Sequence, residues 1–246
     1  MPITKNRSCL QCSAKDCFIN LNCNDEWKQK FDIAKGVNVY KKGEYIFREG
    51  FPIVGIYFVY SGKVRQVSIT ADGSEYVVRF AKEGHVLGHI GADNEKYSVD
   101  SVAIEDTVVC FFKNEILRDA VFQNTSLLYD LMIYYSCELR KSEIRSRNIA
   151  LMNVKERIAS SLLLMVNAFG KEIASGMLRL NVKISGADLA NIAGTTPEEI
   201  SRTMSEFKKQ GIAFVEKRNF FIKDLKKLES IIDGYSHEWD CCEKAF

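Results

Sequence analysis

Four cysteines fall within the first twenty-three residues of this 246-residue chain: Cys9, Cys12, Cys17 and Cys23, spaced C-x2-C-x4-C-x5-C in a polar segment too short to bury a core of its own. A fifth, Cys110, lies far along the chain in a β-like stretch. Free cysteine is ordinarily a small buried hydrophobe, so a solvated cluster at this spacing points to metal ligands or redox thiols. Three chemistries suit four thiolates: a [4Fe-4S] cluster, tetrahedral Zn²⁺, or reversible disulfide exchange with no metal. A thiol redox enzyme built on Cys9-x-x-Cys12 would need a βαβ context, and the chain has none around that pair. Cys137, Cys241 and Cys242 read as one helix cysteine and two tail thiols with no evident partners.

Composition narrows the setting. With 46% hydrophobic and 27% charged residues the chain reads as soluble and globular, with room for one large or two ordinary domains. No run approaches the ~20 apolar residues that span a bilayer, and Met1 to Arg7 lacks the apolar core of a secretory signal. The expected location is the cytoplasm, with no membrane partner, and in that reducing compartment eight cysteines do not form a disulfide framework. The net charge of +2 is uninformative, but Lys183 to Lys227 holds nine Lys or Arg against six Asp or Glu. That local excess agrees equally with nucleic-acid binding and with an ordinary solvated face.

Between Val37 and Phe112 short apolar runs are punctuated by Gly at 43, 50, 55, 62, 73, 84, 88 and 91, an all-β signature. Ile56–Val59 and Tyr76–Phe80 read as strands, the latter with Tyr76, Val78 and Phe80 on one face, and Thr70–Ser74 supplies a hairpin turn. A small barrel or jelly roll follows. From about Asn124 to Asn153 a long helix without Pro or Gly takes over. Leu128, Tyr135, Ser142 and Ile149 recur every seven residues with Leu131 at the matching second position, as in a seam between two copies of the chain. Glu138 and Arg145 interrupt that seam, so packing on the helix's own domain stays open. A second helix, Val154 to Phe169, carries Ile158, Leu162 and Met165 at core spacing and stops at Gly170.

Further on, Ser185 and Asp188 form a capping box for a helix through Ala193. Gly194-Thr195 turns the chain, and Thr196 caps the next helix with Pro197 at its first position and Glu199 placed to reach back. Gly211 ends that helix, and Ile212–Val215 with Phe220–Ile222 reads as a β-hairpin. These parts make a winged helix-turn-helix. At ~100° per residue, Glu198, Ser201, Arg202, Ser205 and Lys209 share one side of the second helix and Ile200, Met204 and Phe207 the other. Such a polar face suits the major groove: Arg donates twice to guanine, and Glu accepts from cytosine. Lys217 and Arg218 at the hairpin tip are placed for phosphate, as are Thr196, Ser205 and Lys209. The competing reading is an exposed Glu198–Arg202 ion pair four residues apart.

The order of parts resembles the CRP/FNR transcription regulators. The resemblance runs from Trp27 to Ile232 and is most specific in Tyr57-Phe58-Val59-Tyr60-Ser61-Gly62-Lys63-Val64 and in Asp188-Leu189-Ala190-Asn191-Ile192-Ala193-Gly194-Thr195-Thr196-Pro197-Glu198-Glu199-Ile200-Ser201-Arg202. It implies an α+β fold with an N-terminal β-roll, a long dimerisation helix and a C-terminal winged helix-turn-helix. The segments would be a cysteine-rich arm at 1–24, a sensor roll at 25–123, the helix at 124–153, the DNA reader at 154–232 and a tail at 233–246. It implies a regulator, not an enzyme: a homodimer on double-stranded DNA that contacts RNA polymerase, with Glu198, Ser201 and Arg202 reading bases. Pro197 stands where the cyclic-AMP type has a further base-reading Arg, which implies a palindromic TTGA-like site.

The effector positions decide the branch. Cyclic-nucleotide binders of the family use Gly-Glu for ribose and Arg-Ser/Thr for phosphate, and the corresponding residues here are Gly88-His89 and Tyr97-Ser98. Neutral Tyr97 cannot replace a guanidinium paired with phosphate, so cyclic AMP is not expected. His85 and His89 are expected to be structural. Cys9 and Cys12 resemble the start of the oxygen-sensing branch's ligand set, and Cys110 resembles its distant fourth ligand. The resemblance thus implies a [4Fe-4S] cluster on Cys9, Cys12, Cys17 and Cys110, with Cys23 as an alternative, because the Cys12–Cys17 gap is one residue shorter than the better-known pattern. Control by thiol oxidation or by a small molecule in the roll stays open beside it.

Overall fold

The computed structural model describes residues 8–71, 73, 75–89, 95–174, 176–217 and 219–235. Contacts gather into two compact units, one ending at Ser136 and the other beginning at Cys137. Among the described residues no helix is long and apolar enough to cross a membrane.

The first unit opens with helices α1 (Phe18–Asn22) and α2 (Asp25–Ala34). Asn24 caps α2, its side-chain oxygen accepting from the Trp27 N–H at 3.0 Å. Eight strands follow: β1 (Gly36–Tyr40), β2 (Tyr45–Phe47), β3 (Gly55–Ser61), β4 (Lys63–Ile69), β5 (Glu75–Lys82), β6 (Val86–Leu87), β7 (Asp100–Ala103) and β8 (Thr107–Lys113), then helix α3 (Asn114–Gln123). They form two antiparallel sheets, ordered β1-β8-β3-β6 and β2-β7-β4-β5, a β-roll. Val64, Ala81, Leu87, Val109, Phe47, Tyr57 and Tyr97 fill its interior.

Strand β3 is buried continuously from Gly55 to Val59 because both its faces are covered. Tyr57 and Val59 point into the roll, while Ile56 and Phe58 meet Phe18, Trp27, Phe31, Phe112 and Leu117 outside it. In β5 the buried residues are Val77 and Ala81; Tyr76, Val78 and Phe80 share the half-exposed face. The β4–β5 pairing from Lys63↔Lys82 to Ile69↔Glu75 closes the expected hairpin, although Asp72 and Ser74 of its turn lie outside the described residues.

The cysteine arm departs from expectation. It is no solvated tether: Ala14, Phe18 and Ile19 are buried, and Cys9 and Cys23 belong to the same apolar cluster as Trp27 and Phe31. The sheet's outer face offers apolar surface that the short arm lacks, and burying one large side chain there contributes ~1.5–3 kcal/mol. The fit is close at Gly84 (φ +86°), where a Cβ would come within 2.8 Å of the Asp16 backbone.

Helix α4 (Thr125–Leu151) carries residues of both units. Leu131 and Tyr134 are partly buried and pack on the β-roll cluster. Met132 and Leu139 are 60% and 63% exposed, beside exposed Leu128 and Ile149. Leu128, Met132, Tyr135, Leu139, Ser142, Ser146 and Ile149, spaced alternately by four and three, lie along one stripe of the helix that carries these exposed apolar residues. Glu138 and Arg145 fall outside that stripe, and Glu138 pairs with Lys141 at 2.8 Å.

In the second unit α5 (Val154–Phe169) begins at an Asn153–Glu156 capping box. Strands β9 (Gly170–Ala174) and β10 (Met177–Leu180), not foreseen in the sequence, join β11 (Ala213–Glu216) and β12 (Asn219–Ile222) in a sheet ordered β11-β12-β10-β9. Helices α6 (Gly186–Ala193) and α7 (Pro197–Lys209) form the helix-turn-helix, and α8 (Leu225–Ser230) packs on α5. Ser185 and Asp188 make the expected box at α6, and Gly194 closes that helix in the left-handed region at φ 59°.

Candidate nucleic-acid interface and cysteine site

Helix α7 is held by its apolar side. Ile200, Thr203, Met204 and Phe207 are buried, Phe207 completely. Thr196 caps the helix, its Oγ1 accepting from the Glu199 N–H at 3.3 Å, with Pro197 at the first position. Glu199 does not reach back to complete a box. Its carboxylate pairs with Arg202, three residues on, and this replaces the anticipated Glu198–Arg202 pair. Thr196, Glu198, Ser201, Arg202, Ser205 and Lys209 are all exposed. The predicted polar face is present as a face.

The turn before α7 is braced from α5. The Arg157 guanidinium donates to the carbonyls of Ala193 at 3.0 Å, Gly194 at 3.3 Å and Met152 at 3.1 Å. These are carbonyls at the C-terminal ends of α4 and α6, which lack intrahelical donors. Sequence reading missed Arg157, and no local signal marks a residue whose partners lie 36 and 37 positions away. Lys155 pairs with Glu206 and, with Arg202, Ser205 and Lys209, edges a groove of about 440 Å³ along α7. Lys217 sits exposed at the hairpin tip with φ 47°, whereas Arg218 lies outside the described residues.

In the first unit none of the five described cysteines Cys9, Cys12, Cys17, Cys23 and Cys110 is in a disulfide. Cys9, Cys17, Cys23 and Cys110 pack on one apolar cluster, Cys17 and Cys23 flanking α1 and Cys110 lying opposite Val37 in β1 and Phe58 in β3. The β-roll thus brings the distant cysteine to the arm. Among the described residues, however, no three Cys, His, Asp or Glu side chains converge closely enough to hold a metal ion. Burial pushes the Cys9 and Cys23 thiols up to about 12, and also raises Cys17. For Cys9 the neighbouring Asp32 adds to the rise and Lys35 opposes it. Burial works against ionisation of Asp32, yet hydrogen bonds from Lys35, Ser8 and Cys9 outweigh it and hold that carboxyl at about 2. Cys137, read in the sequence as an isolated helix cysteine, is buried, and Cys241 and Cys242 lie outside the described residues.

Tyr97, which the resemblance sets at the cyclic-phosphate position, is turned into the roll. Its ring stacks on Phe47 with centroids 4.0 Å apart, and its hydroxyl donates to the Gly55 carbonyl at 3.0 Å. His89 is half-buried and Ser98 exposed.

Residues 37–124 match the cyclic nucleotide-binding domain and residues 156–231 the Crp-like helix-turn-helix domain. Curated relatives include the transcriptional activator protein anr of Pseudomonas aeruginosa, 29% identical over 92% of this chain and 93% of its own. Another is the anaerobic regulatory protein of Bacillus subtilis, 25% identical over 76% of this chain and 80% of its own. Among solved structures, FixK2 from Bradyrhizobium japonicum superposes with a TM-score of 0.71 at 26% identity, covering 82% of this chain and 99% of that one. The two domain matches in this order, the full-length relatives and the shared fold together place the chain in the CRP/FNR family of DNA-binding transcription regulators, and not among enzymes.

Proposed function

We propose that this protein is a homodimeric regulator that reads a palindromic TTGA-like operator and responds to oxygen or redox state through its N-terminal cysteines. The observation that carries the DNA half is the capped helix α7, locked by Ile200, Met204 and Phe207 and presenting Glu198, Ser201 and Arg202 to solvent. These three read base edges; Thr196, Ser205, Lys209, Lys217 and Arg218 hold phosphates. The exposed seam of Leu128, Met132, Leu139 and Ile149 supports dimerisation, which would set two copies of α7 one helical turn apart on DNA. Contact with RNA polymerase belongs to the same reading. The functional segments are the arm (1–24), the sensor roll (25–123), the dimer helix (124–153), the reader (154–232) and the tail (233–246).

For the sensor half, cysteine is the ligand type that a [4Fe-4S] cluster takes, although no three of these side chains converge on one point among the described residues. Thiols from the arm and Cys110 of β8 share one apolar cluster, with a buried ammonium among them. Cys9, Cys12, Cys17 and Cys110 are the assigned ligands, with Cys23 the alternative. When bound, a [4Fe-4S] group supplies an oxygen-labile redox centre. The residues' part is to draw arm and roll together, so that ligation fixes the arm against the unit that carries the start of α4. Relatives named for anaerobic regulation support this direction. Tyr97, packed on Phe47 where a phosphate-binding Arg would stand, argues against cyclic AMP as effector. The test is iron and acid-labile sulfide per chain in protein purified without oxygen, together with operator affinity before and after air. Zn²⁺ in place of iron makes the arm structural, and metal-free protein moves control to thiol oxidation or to a ligand of the roll.

A further inference from the structure

Helix α4 passes into α5 through two residues, Met152 and Asn153, and this joint lies in the same compact unit as the helix-turn-helix. Beyond it α5 packs on α6, α7 and α8, and its Ile158, Leu162 and Met165 are completely buried. The direction in which α4 leaves this body is therefore set by the backbone of two residues and by the bonds that span them. Arg157 spans them. Its Nη1 donates to the Met152 carbonyl in the joint at 3.1 Å, while Nε and Nη2 donate at 3.0 and 3.3 Å to the carbonyls of Ala193 and Gly194, which end α6. Beside it, Glu156 closes the capping box on Asn153 and accepts from the Tyr235 hydroxyl at 3.3 Å.

Capping alone is the ordinary explanation: carbonyls at helix ends lack intrahelical donors, and a cation suits their negative dipole ends. Separate donors at each helix would meet that need. A guanidinium is instead a rigid planar fork whose donors keep fixed directions to one another. Sharing one fork ties the joint to the turn before α7 in orientation as well as in distance. Thr195 and Thr196 alone separate that turn from Pro197, where α7 begins, so a shift at the joint reaches the start of α7 through few bonds.

We propose that Arg157 is a positioning residue that fixes the angle between the dimer helix and α7, and thereby the half-site spacing that a dimer accepts on DNA. This role rests on the reading of the protein as a dimer on a palindrome. Adding one base pair between half-sites moves the second by ~3.4 Å and turns it by about 35° around the duplex. A stiff joint cannot follow that turn, and one half-site loses its base contacts. A joint without its fork can follow.

The test uses full-length protein with Arg157→Gln, Arg157→Lys and, as a control, Leu162→Ala, which empties part of the α5 core without touching the fork. Fluorescence anisotropy at one salt concentration reads affinity for duplexes whose two TTGA-like half-sites are stepped apart one base pair at a time around a separation of one helical turn, about 10–10.5 bp. Wild type should show a sharp optimum, a step away from it costing ~10- to 100-fold, the scale of one lost base contact. Arg157→Gln should bind the optimal duplex more weakly and lose far less at neighbouring spacings. Arg157→Lys, which keeps the charge but not the fork, should show the same flattened profile, and it carries the test if the Gln variant does not fold. Leu162→Ala should melt lower than wild type yet keep the sharp optimum. Either Arg157 variant, folded and with the wild-type profile, would overturn the proposal. So would a Leu162→Ala profile as flat as theirs, since lost stability would then account for both. Wild-type protein indifferent to spacing, or bound as a monomer, would overturn the palindromic-dimer reading itself, a result distinguishable from failure of the variants alone.

Discussion

Arg202→Ala separates base reading from every other use of that side chain. In the free protein the Arg202 side chain is 76% exposed and pairs with Glu199, 30% exposed. An exposed pair three residues apart on a helix contributes only ~0.3–0.5 kcal/mol, and α7 is held by Phe207, Met204 and Ile200 instead. The variant should therefore fold and melt nearly as wild type does. On DNA the loss is larger, because a bidentate Arg–guanine contact is worth ~1–3 kcal/mol. A dimer makes it twice, so operator affinity should fall by ~2–6 kcal/mol, about 30-fold to more than 10⁴-fold. Fluorescence anisotropy with an operator duplex and a scrambled duplex at one physiological salt concentration reads both affinities. The expected result is a collapse of the operator-to-scrambled ratio while scrambled binding weakens by no more than about tenfold, the loss of a phosphate-like charge. Equal losses on both duplexes would refute base reading and make Arg202 a phosphate contact. Glu199→Gln should act oppositely, releasing Arg202 and removing a negative charge from the DNA-facing helix.

Phe207→Ala removes a fully buried ring beneath α7 and should cost ~3–5 kcal/mol in denaturant unfolding; a loss below ~1 kcal/mol would mean that α7 is held otherwise. Leu139→Lys places a charge in the apolar seam of α4, and sedimentation should show dimers giving way to monomers without loss of helix content; unchanged dimers would move the seam elsewhere. In metal-free protein Cys9 and Cys23, whose burial pushes their thiols up to about 12, should alkylate far more slowly than Cys12 at pH 8 and accelerate only toward pH 12. Peptide mapping that finds all three equally fast would contradict their placement in the apolar cluster. Asp32, held at about 2 against an ordinary 3.8, binds its proton more weakly folded than unfolded, so its contribution is fully present above pH ~4 and lost as pH falls toward 2. The melting gap between wild type and Asp32→Asn should shrink over that window, and a constant gap would deny the carboxylate its role.

The helix-turn-helix was legible in sequence because its signals are local. Caps at Ser185 and Thr196, Pro197, the Gly194 turn and the two faces of α7 are all set by residues within one or two helical turns. What escaped depended on partners far along the chain. Arg157 works through carbonyls that only the folded unit brings near, and β9 with β10 becomes sheet only because β12 is there to pair with them. The arm misled for a related reason: it is too short to bury a core by itself, but the outer face of β3 and β8 supplies one. In α4 the sequence showed a long helix, but not that Leu131 packs on the β-roll cluster while Met132 stays exposed, because that depends on strands far along the chain. The Asp32–Lys35 pair looks in sequence like any surface pair three residues apart, and only its burial beside Cys9 sets it apart.

The most direct test of the central claim follows metal and DNA together. Protein purified without oxygen is assayed for iron and acid-labile sulfide, and its visible absorption and operator affinity are then recorded as air is admitted. The account predicts near-stoichiometric cluster per chain, with absorption bleaching in step with loss of operator binding and with scrambled-DNA binding little changed. Metal-free protein whose operator affinity ignores air would contradict the sensor and leave only the DNA reader standing.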